Sequence, residues 1–191
     1  MQLKRVLRYL KETIDYQIEY GNTNLKKGII YSTDASWDST ADAKSFLVYR
    51  NGDLVHWSNK QVTIALSSTE SELEAMMEGL KEISWMSDLL NEIGMLCEYK
   101  QIKCDNLNAV KLANGGNFKT KTELLNRKCH FIRKTVYNYS VKVTHVPKES
   151  MDADCMTKVL SGHSLLKNVN NFMCVNIYGT KGGDCGSGYH R

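Results

Sequence analysis

The chain has 191 residues, of which 42% are hydrophobic, and a formal net charge of +4. That length suits one ordinary domain with extensions, or at most two small ones, and the composition supplies enough apolar surface for a core. No apolar run approaches the roughly 20 residues of a membrane span. The basic N-terminus MQLKRVLRYLKETI lacks the features of a secretory signal, so an intracellular protein, in cytoplasm or nucleus, is expected. The six cysteines are scattered without CxxC spacing, which favours free thiols over a disulfide or zinc framework.

The chain opens with Leu3, Val6, Leu7, Leu10 and Ile14 spaced by three and four residues, which predicts an amphipathic helix over 1–14 with Lys4, Arg5, Arg8 and Lys11 on its polar side. Residues 20–24 (YGNTN) break it. Strands are predicted over 28–33, ending at Asp34, and over 45–50 and 53–57, which flank Asn51-Gly52, a two-residue hairpin signal. A further strand is expected at 62–66. Ser67 with Glu70, or Thr69 with Glu72, can cap a long helix that runs to Gly94. Then follow a strand at 101–104 ending at Asp105, a short helix at 107–113, a helix at 124–139, a strand at 141–146 stopped by Pro147, and a helix at 152–160. Residues 165–172 are expected to add a turn or two, and the Gly-rich tail from about 179 to be disordered. A hairpin meander followed by crossover strands predicts an α/β fold with a mixed sheet flanked by helices.

Charge is segregated along this order. Residues 68–98 carry eight acids against Lys81 alone, whereas residues 119–148 carry eight bases against Glu123 alone. One part could hold metal and the other phosphates, unless both are solvated faces.

Four acids lie at element boundaries: Asp34 in YSTDASW, Glu72 in ALSSTESELEAM, Asp105 in IKCDNLNAV and Asp154 in MDADCMTKVL. Carboxylates delivered from separate strand ends and helix starts can build an all-oxygen site for paired Mg²⁺ ions, the arrangement that hydrolyses phosphodiesters. For Asp34 and Asp105 to meet, their two strands must be neighbours. Glu70 and Glu74 rival Glu72, and Asp152, which could instead cap the last helix, rivals Asp154. Asp38 and Asp42 are expected in a loop. No GxSxG elbow and no zinc spacing is present.

Taken together, KRVLRYLKET (4–13), YSTDASW (31–37), HWSNKQVTIALSSTESELEAM (56–76), CDNLNAV (104–110), CHFIRK (129–134) and VPKESMDADCMTK (146–158) resemble, in order and spacing, the ribonuclease H domain of copia-type LTR retrotransposon Pol polyproteins. The resemblance covers about 4–160. It implies a ribonuclease H-like fold with a mixed five-stranded sheet over 28–160, a connection helix from a reverse transcriptase over 1–20, and a C-terminal extension over 161–191. It further implies an endonuclease that cleaves the RNA strand of RNA:DNA hybrids with Mg²⁺ (Mn²⁺ as alternative), leaving 3′-hydroxyl and 5′-phosphate. Asp34, Glu72, Asp105 and Asp154 would be the catalytic metal ligands. The hybrid and the reverse transcriptase part of the same polyprotein would be the partners, with no membrane involved.

Arg127, Lys128, Arg133 and Lys134 fit a helix that tracks the substrate backbone. Ser36 and Asn106 could donate to phosphate or 2′-hydroxyl oxygens, with local capping as the alternative. His130 is expected to be a framework residue, and His145 is a minor candidate for proton transfer. The sequence also departs from the family. ELLN at 123–126 stands where the family has Lys-His-Ile-Asp, Val159 replaces the proline of Thr-Lys-Pro-Leu, and Thr33 is an extra residue before Asp34. These departures spare the acids, question the substrate-facing helix, and leave room for a non-catalytic nucleic-acid-binding or scaffold module. No polymerase active-site motif is present, so the chain is expected to be a fragment or a remnant.

Overall fold

A computed structural model describes residues 2–18, 20–21, 27–36, 42–62, 65, 67–95, 97–116, 123–157 and 174–175. The helices are α1 (Gln2–Glu12), α2 (Ser68–Glu92), α3 (Leu107–Ala113), α4 (Glu123–Asn138) and α5 (Asp154–Thr157). The strands are β1 (Tyr16–Gln17), β2 (Gly28–Ser36), β3 (Asp42–Arg50), β4 (Asp53–Val62), β5 (Tyr99–Cys104), β6 (Val141–His145) and β7 (Cys174–Val175). Five of them form one mixed sheet in the order β4-β3-β2-β5-β6. β2, β3 and β4 run antiparallel, and β5 and β6 join as parallel neighbours. The mixed five-stranded sheet anticipated from the sequence is therefore present, with β2 next to the strand that ends at Asp105.

The β3–β4 hairpin turns where Asn51 (φ 55°) and Gly52 (φ 96°) both take the left-handed region, as a two-residue turn of this hand requires. Both hairpin strands are longer than expected. Asp42 opens β3 rather than sitting in a loop, and Val62 closes β4 rather than starting a new strand. Residues 63, 64 and 66 of that expected strand, with Asp38, lie outside the described residues. The last helix starts two residues later than its pattern suggests. A 3-10 turn at Lys148–Ser150 precedes α5, which starts at Asp154, and Lys158–Leu160 are not described. The segments at 165–172 and from 179 are likewise outside the described residues. A feature with no warning in the sequence is a second, two-stranded sheet in which Tyr16 pairs with Val175 and Gln17 with Cys174.

Strand alternation splits the core between the two sheet faces. Ile29, Tyr31, Phe46, Val48 and Ile102 pack with Leu73, Met76, Leu80 and Ile83 of α2 and with Cys129 and Ile132 of α4. The opposite face carries a smaller cluster of Leu47, Tyr49, Leu54, Met151 and Ala153, with Ile18 against it. The Met pair of α2 is core filling, as expected: Met76 is fully buried and Met77 packs against the cluster. α2 spans the sheet because Ser67 caps it, its side chain accepting from the Glu70 N–H at 3.2 Å, and Gly94 (φ 70°) follows its C-terminus. Among the described residues no helix is long and apolar enough to cross a membrane. Cys97, Cys104, Cys129 and Cys155 are free thiols.

α2 lies close against β2 because Gly79 faces the ring of Tyr31, a side chain with no exposure. A Cβ at Gly79 would collide with that ring. Overpacking of this kind costs about 1–3 kcal/mol, against a gain of about 1 kcal/mol in helix propensity from Gly to Ala. Gly79→Ala is therefore expected to lower unfolding stability by about 1 kcal/mol in chemical denaturation. An unchanged or raised midpoint would contradict this packing.

Candidate metal centre

The parallel register of β2 with β5 pairs Ser32 with Lys103, so both strands run out at the same end of the sheet. Thr33 reinforces the pairing by donating its hydroxyl to the Lys103 carbonyl at 3.2 Å. Asp34 follows on β2 and Asp105 directly after β5. α2 begins over this end and lowers Glu72 onto it, where Glu72 Oε1 accepts the Ala35 N–H at 3.2 Å. α5 brings Asp154 from the other sheet face. Ser45 helps to seat it, with its hydroxyl 3.1 Å from the Ala153 carbonyl and 3.4 Å from the Asp34 carbonyl. The Asn59 amide donates to the Met156 carbonyl, and the Thr157 hydroxyl donates to Asp34 Oδ2.

The result is two overlapping groups that share Asp105. Potential ligand atoms of Asp34, Asp105 and Asp154 lie within 4.8 Å of one another, and so do those of Glu72, Cys104 and Asp105. Asp34 and Glu72 are buried, and Asp105 and Asp154 are half-buried. Burial first, and then the nearby Asp34 and Asp105 carboxylates, push Glu72 up to about 8, against the opposing pull of the Ala35 N–H and the Cys104 thiol. Such crowding of carboxylates is relieved by a divalent cation, and the donor set, mostly carboxylate oxygen, suits a hard ion. The residues present fit Mg²⁺ or Mn²⁺.

The rivals to these acids have other occupations. Glu70 and Glu74 both pair with Lys128, Glu70 at 2.8 Å, and Glu74 pairs also with Lys44. Burial would raise Glu74, but the bonds and charges of Lys128 and Lys44 outweigh it and hold the carboxyl below its usual range. Asp152 precedes α5, its carbonyl 3.1 Å from the Cys155 thiol.

Lys128, expected to face substrate, is thus largely buried between α2 carboxylates. Arg133 donates to the Leu112 and Gly116 carbonyls at 2.9 and 3.2 Å. Arg127 bonds Glu123 one turn back at 2.6 Å, and Lys134 is exposed on α4. The Asn106 side chain caps α3, accepting from the Asn108 and Ala109 N–H groups, so the capping alternative describes its side chain. Ser36 is half-buried at the end of β2. His130 is exposed on α4, and His145 Nε2 lies 3.0 Å from the Asp105 carbonyl.

Sequence reasoning missed Cys104 and Thr157. The Cys104 thiol, held well above its usual range chiefly by burial, donates to Glu72 Oε2 at 3.6 Å. Alternation along β5 is the signal that could have found it, because Ile102 and Cys104 share the face under α2. Thr157 sits three residues beyond Asp154, one turn along α5.

No family model matches the chain. It is 34% identical over 165 residues to the retrovirus-related Pol polyprotein from transposon RE2 of Arabidopsis thaliana, covering 83% of this chain and 11% of that protein. It is 30% identical over 164 residues to the corresponding polyprotein from transposon TNT 1-94 of Nicotiana tabacum, covering 83% and 12%. The chain thus spans about a tenth of the length of these curated relatives. Its backbone superposes on LC11-RNase H1, solved in complex with an RNA/DNA hybrid, with a TM-score of 0.56 at 18% identity, covering 67% of this chain and 92% of that one. At that identity the likeness is one of fold.

A raised Glu72 pKa means the folded protein prefers the protonated carboxyl. Its stabilising contribution is complete below the ordinary value of 4.5 and is lost as the pH climbs towards 8. In the presence of chelator, Glu72→Gln is expected to melt a few degrees (about 5 °C) above the parent protein at pH 8, with the difference vanishing near pH 4.5. Melting curves that run parallel across this range would contradict the crowding.

Proposed function

Since the chain is a ribonuclease H-fold domain of the retrovirus-related transposon Pol family, we propose that it is a copia-type, metal-dependent endonuclease. It cleaves the RNA strand of RNA:DNA hybrids alongside the reverse transcriptase part of the same polyprotein. The observation that carries this reading is that carboxylates from four separate segments fall into two candidate ligand groups that share Asp105. Bound Mg²⁺ supplies the charge that activates a water and stabilises the leaving oxygen of a phosphodiester.

The chain's own residues do the rest. Asp34, Glu72, Asp105 and Asp154 would hold the ions through their carboxylate oxygens. The Ala35 N–H and the Cys104 thiol fix the Glu72 carboxylate, and Thr157 fixes that of Asp34, so the ligands need little reorganisation on loading. Lys134, exposed on α4, and Ser36, at the end of β2, remain as contacts for the hybrid backbone.

A second reading, a binding module without turnover, draws support from α4, where Lys128 and Arg133 are engaged by the protein itself. A labelled hybrid incubated with Mg²⁺ or Mn²⁺ tests both. The parent protein is expected to cut only the RNA strand and only with metal. Asp105→Asn is expected to lose more than about 100-fold in rate, because the loss of outer-shell partners alone costs about 10–100-fold. Equal failure of both proteins, with salt-dependent hybrid binding intact, would overturn the enzyme reading and support the second.

A further inference from the structure

Two exposed apolar surfaces of opposite charge lie on this chain. α1 presents Leu3, Val6, Leu7 and Leu10, all more than half exposed, and along one border of that face run Lys4 and Lys11, with Arg8 beyond them. An isolated helix of 11 residues is marginal in water, so this face needs a cover to hold its shape. The second surface lies on the C-terminal part of α2, where Trp85 (60% exposed), Leu89 and Ile93 succeed one another at intervals of four residues. Glu82 stands one turn before Trp85, Asp88 and Glu92 border the stripe, and Lys81, paired with Glu78 at 2.7 Å, stands four residues before Trp85. Beside Trp85 an open groove of about 640 Å³ is lined by Val55, His56, Lys81, Glu82 and Met86. The two apolar stripes match in length: Leu3 to Leu10 and Trp85 to Ile93 each cover about 10–12 Å at about 1.5 Å per residue.

We infer that the Trp85–Leu89–Ile93 stripe of α2 is a docking surface for α1 of a second copy of this chain, in a reciprocal dimer. Charge complementarity selects the occupant, because a basic amphipathic helix fits an apolar stripe edged with acids. The course of the chain makes the exchange intermolecular. Beyond α1, Ile18 packs into the Leu47–Tyr49–Leu54 cluster, on the sheet face opposite α2, and the Gly21 N–H donates to Asp53 Oδ2 at 2.8 Å. α1 therefore departs from the face that does not carry the stripe. Reciprocity makes the interface self-complementary, the form that closes into a two-fold dimer rather than a filament. The stripe begins about 20 Å along α2 from Glu72, at about 1.5 Å per residue, so docking leaves the carboxylate centre open.

Sedimentation equilibrium of the full chain over a micromolar concentration series tests the inference. The parent protein is expected to dimerise, and to do so more weakly as salt rises. Leu7→Glu and Trp85→Glu, both at exposed positions and checked for native circular dichroism, are each expected to weaken the dimer on the order of tenfold or more. An equimolar mixture of the two variants retains one intact α1–stripe contact, and is expected to associate more tightly than either variant alone. A parent protein that stays monomeric, a dimer that both variants leave unchanged, or a mixture no tighter than its components would overturn the inference.

Discussion

The parallel pairing of β2 with β5 is the constraint on which the site depends. Asp34 and Asp105 are distant in sequence, yet the register that sets Ser32 opposite Lys103 carries both to one end of the sheet. A slip of one residue would turn the side chains of β2 to the other face. That would move Asp34 away from its neighbours and take Tyr31 out of its seat against Gly79 of α2. The packing that fixes the register is therefore the packing that brings the carboxylates together. Core and site share one specification, with Thr33 bonded across the two strands just before the acids.

Concentrating negative charge at one sheet end carries an electrostatic cost, and the chain meets it in two ways. Around α2, Glu70 and Glu74 share a helix face one turn apart and receive Lys128 from α4 and Lys44 from β3. Glu72, two residues from each, points the other way and, among the described residues, meets a backbone N–H, a thiol and other acids. The first set is neutralised within the protein and ties three elements together. The second is the set proposed to hold a cation. A local region of one acidic sequence stretch thus serves two physical ends, separated by a 200° turn of helix.

Much of this was legible in the sequence, and the failures have physical causes. The Asn51-Gly52 turn, the Ser67 cap and the short helix at 107–113 are written in local chemistry, and they appear where that chemistry puts them. The four acids could be nominated because each stands at an element boundary. Strand lengths were less readable, since β3 and β4 extend past their apolar cores by backbone pairing in which polar residues such as Lys44 and Asn59 take part. The pairing of Lys128 with Glu70 and Glu74 was unreadable for a related reason. A basic run shows charge but not which carboxylates from a helix more than fifty residues earlier will face it. Pairing of β1 with β7 joins segments more than 150 residues apart and carries no local signal at all. Cys104 and Thr157 were missed because their importance lies in what they touch, which is decided by the tertiary fold.

The central claim is that these four separated carboxylates form a cation-holding centre. A crystal of the full chain soaked in Mn²⁺ and measured for anomalous scattering tests it most directly. The account expects strong anomalous peaks bounded by Asp34, Glu72, Asp105 and Asp154, with carboxylate oxygens about 2.1 Å from the ions, and their loss in Asp105→Asn. A map with no peak there at saturating Mn²⁺, or with ions bound only by other residues, would contradict it.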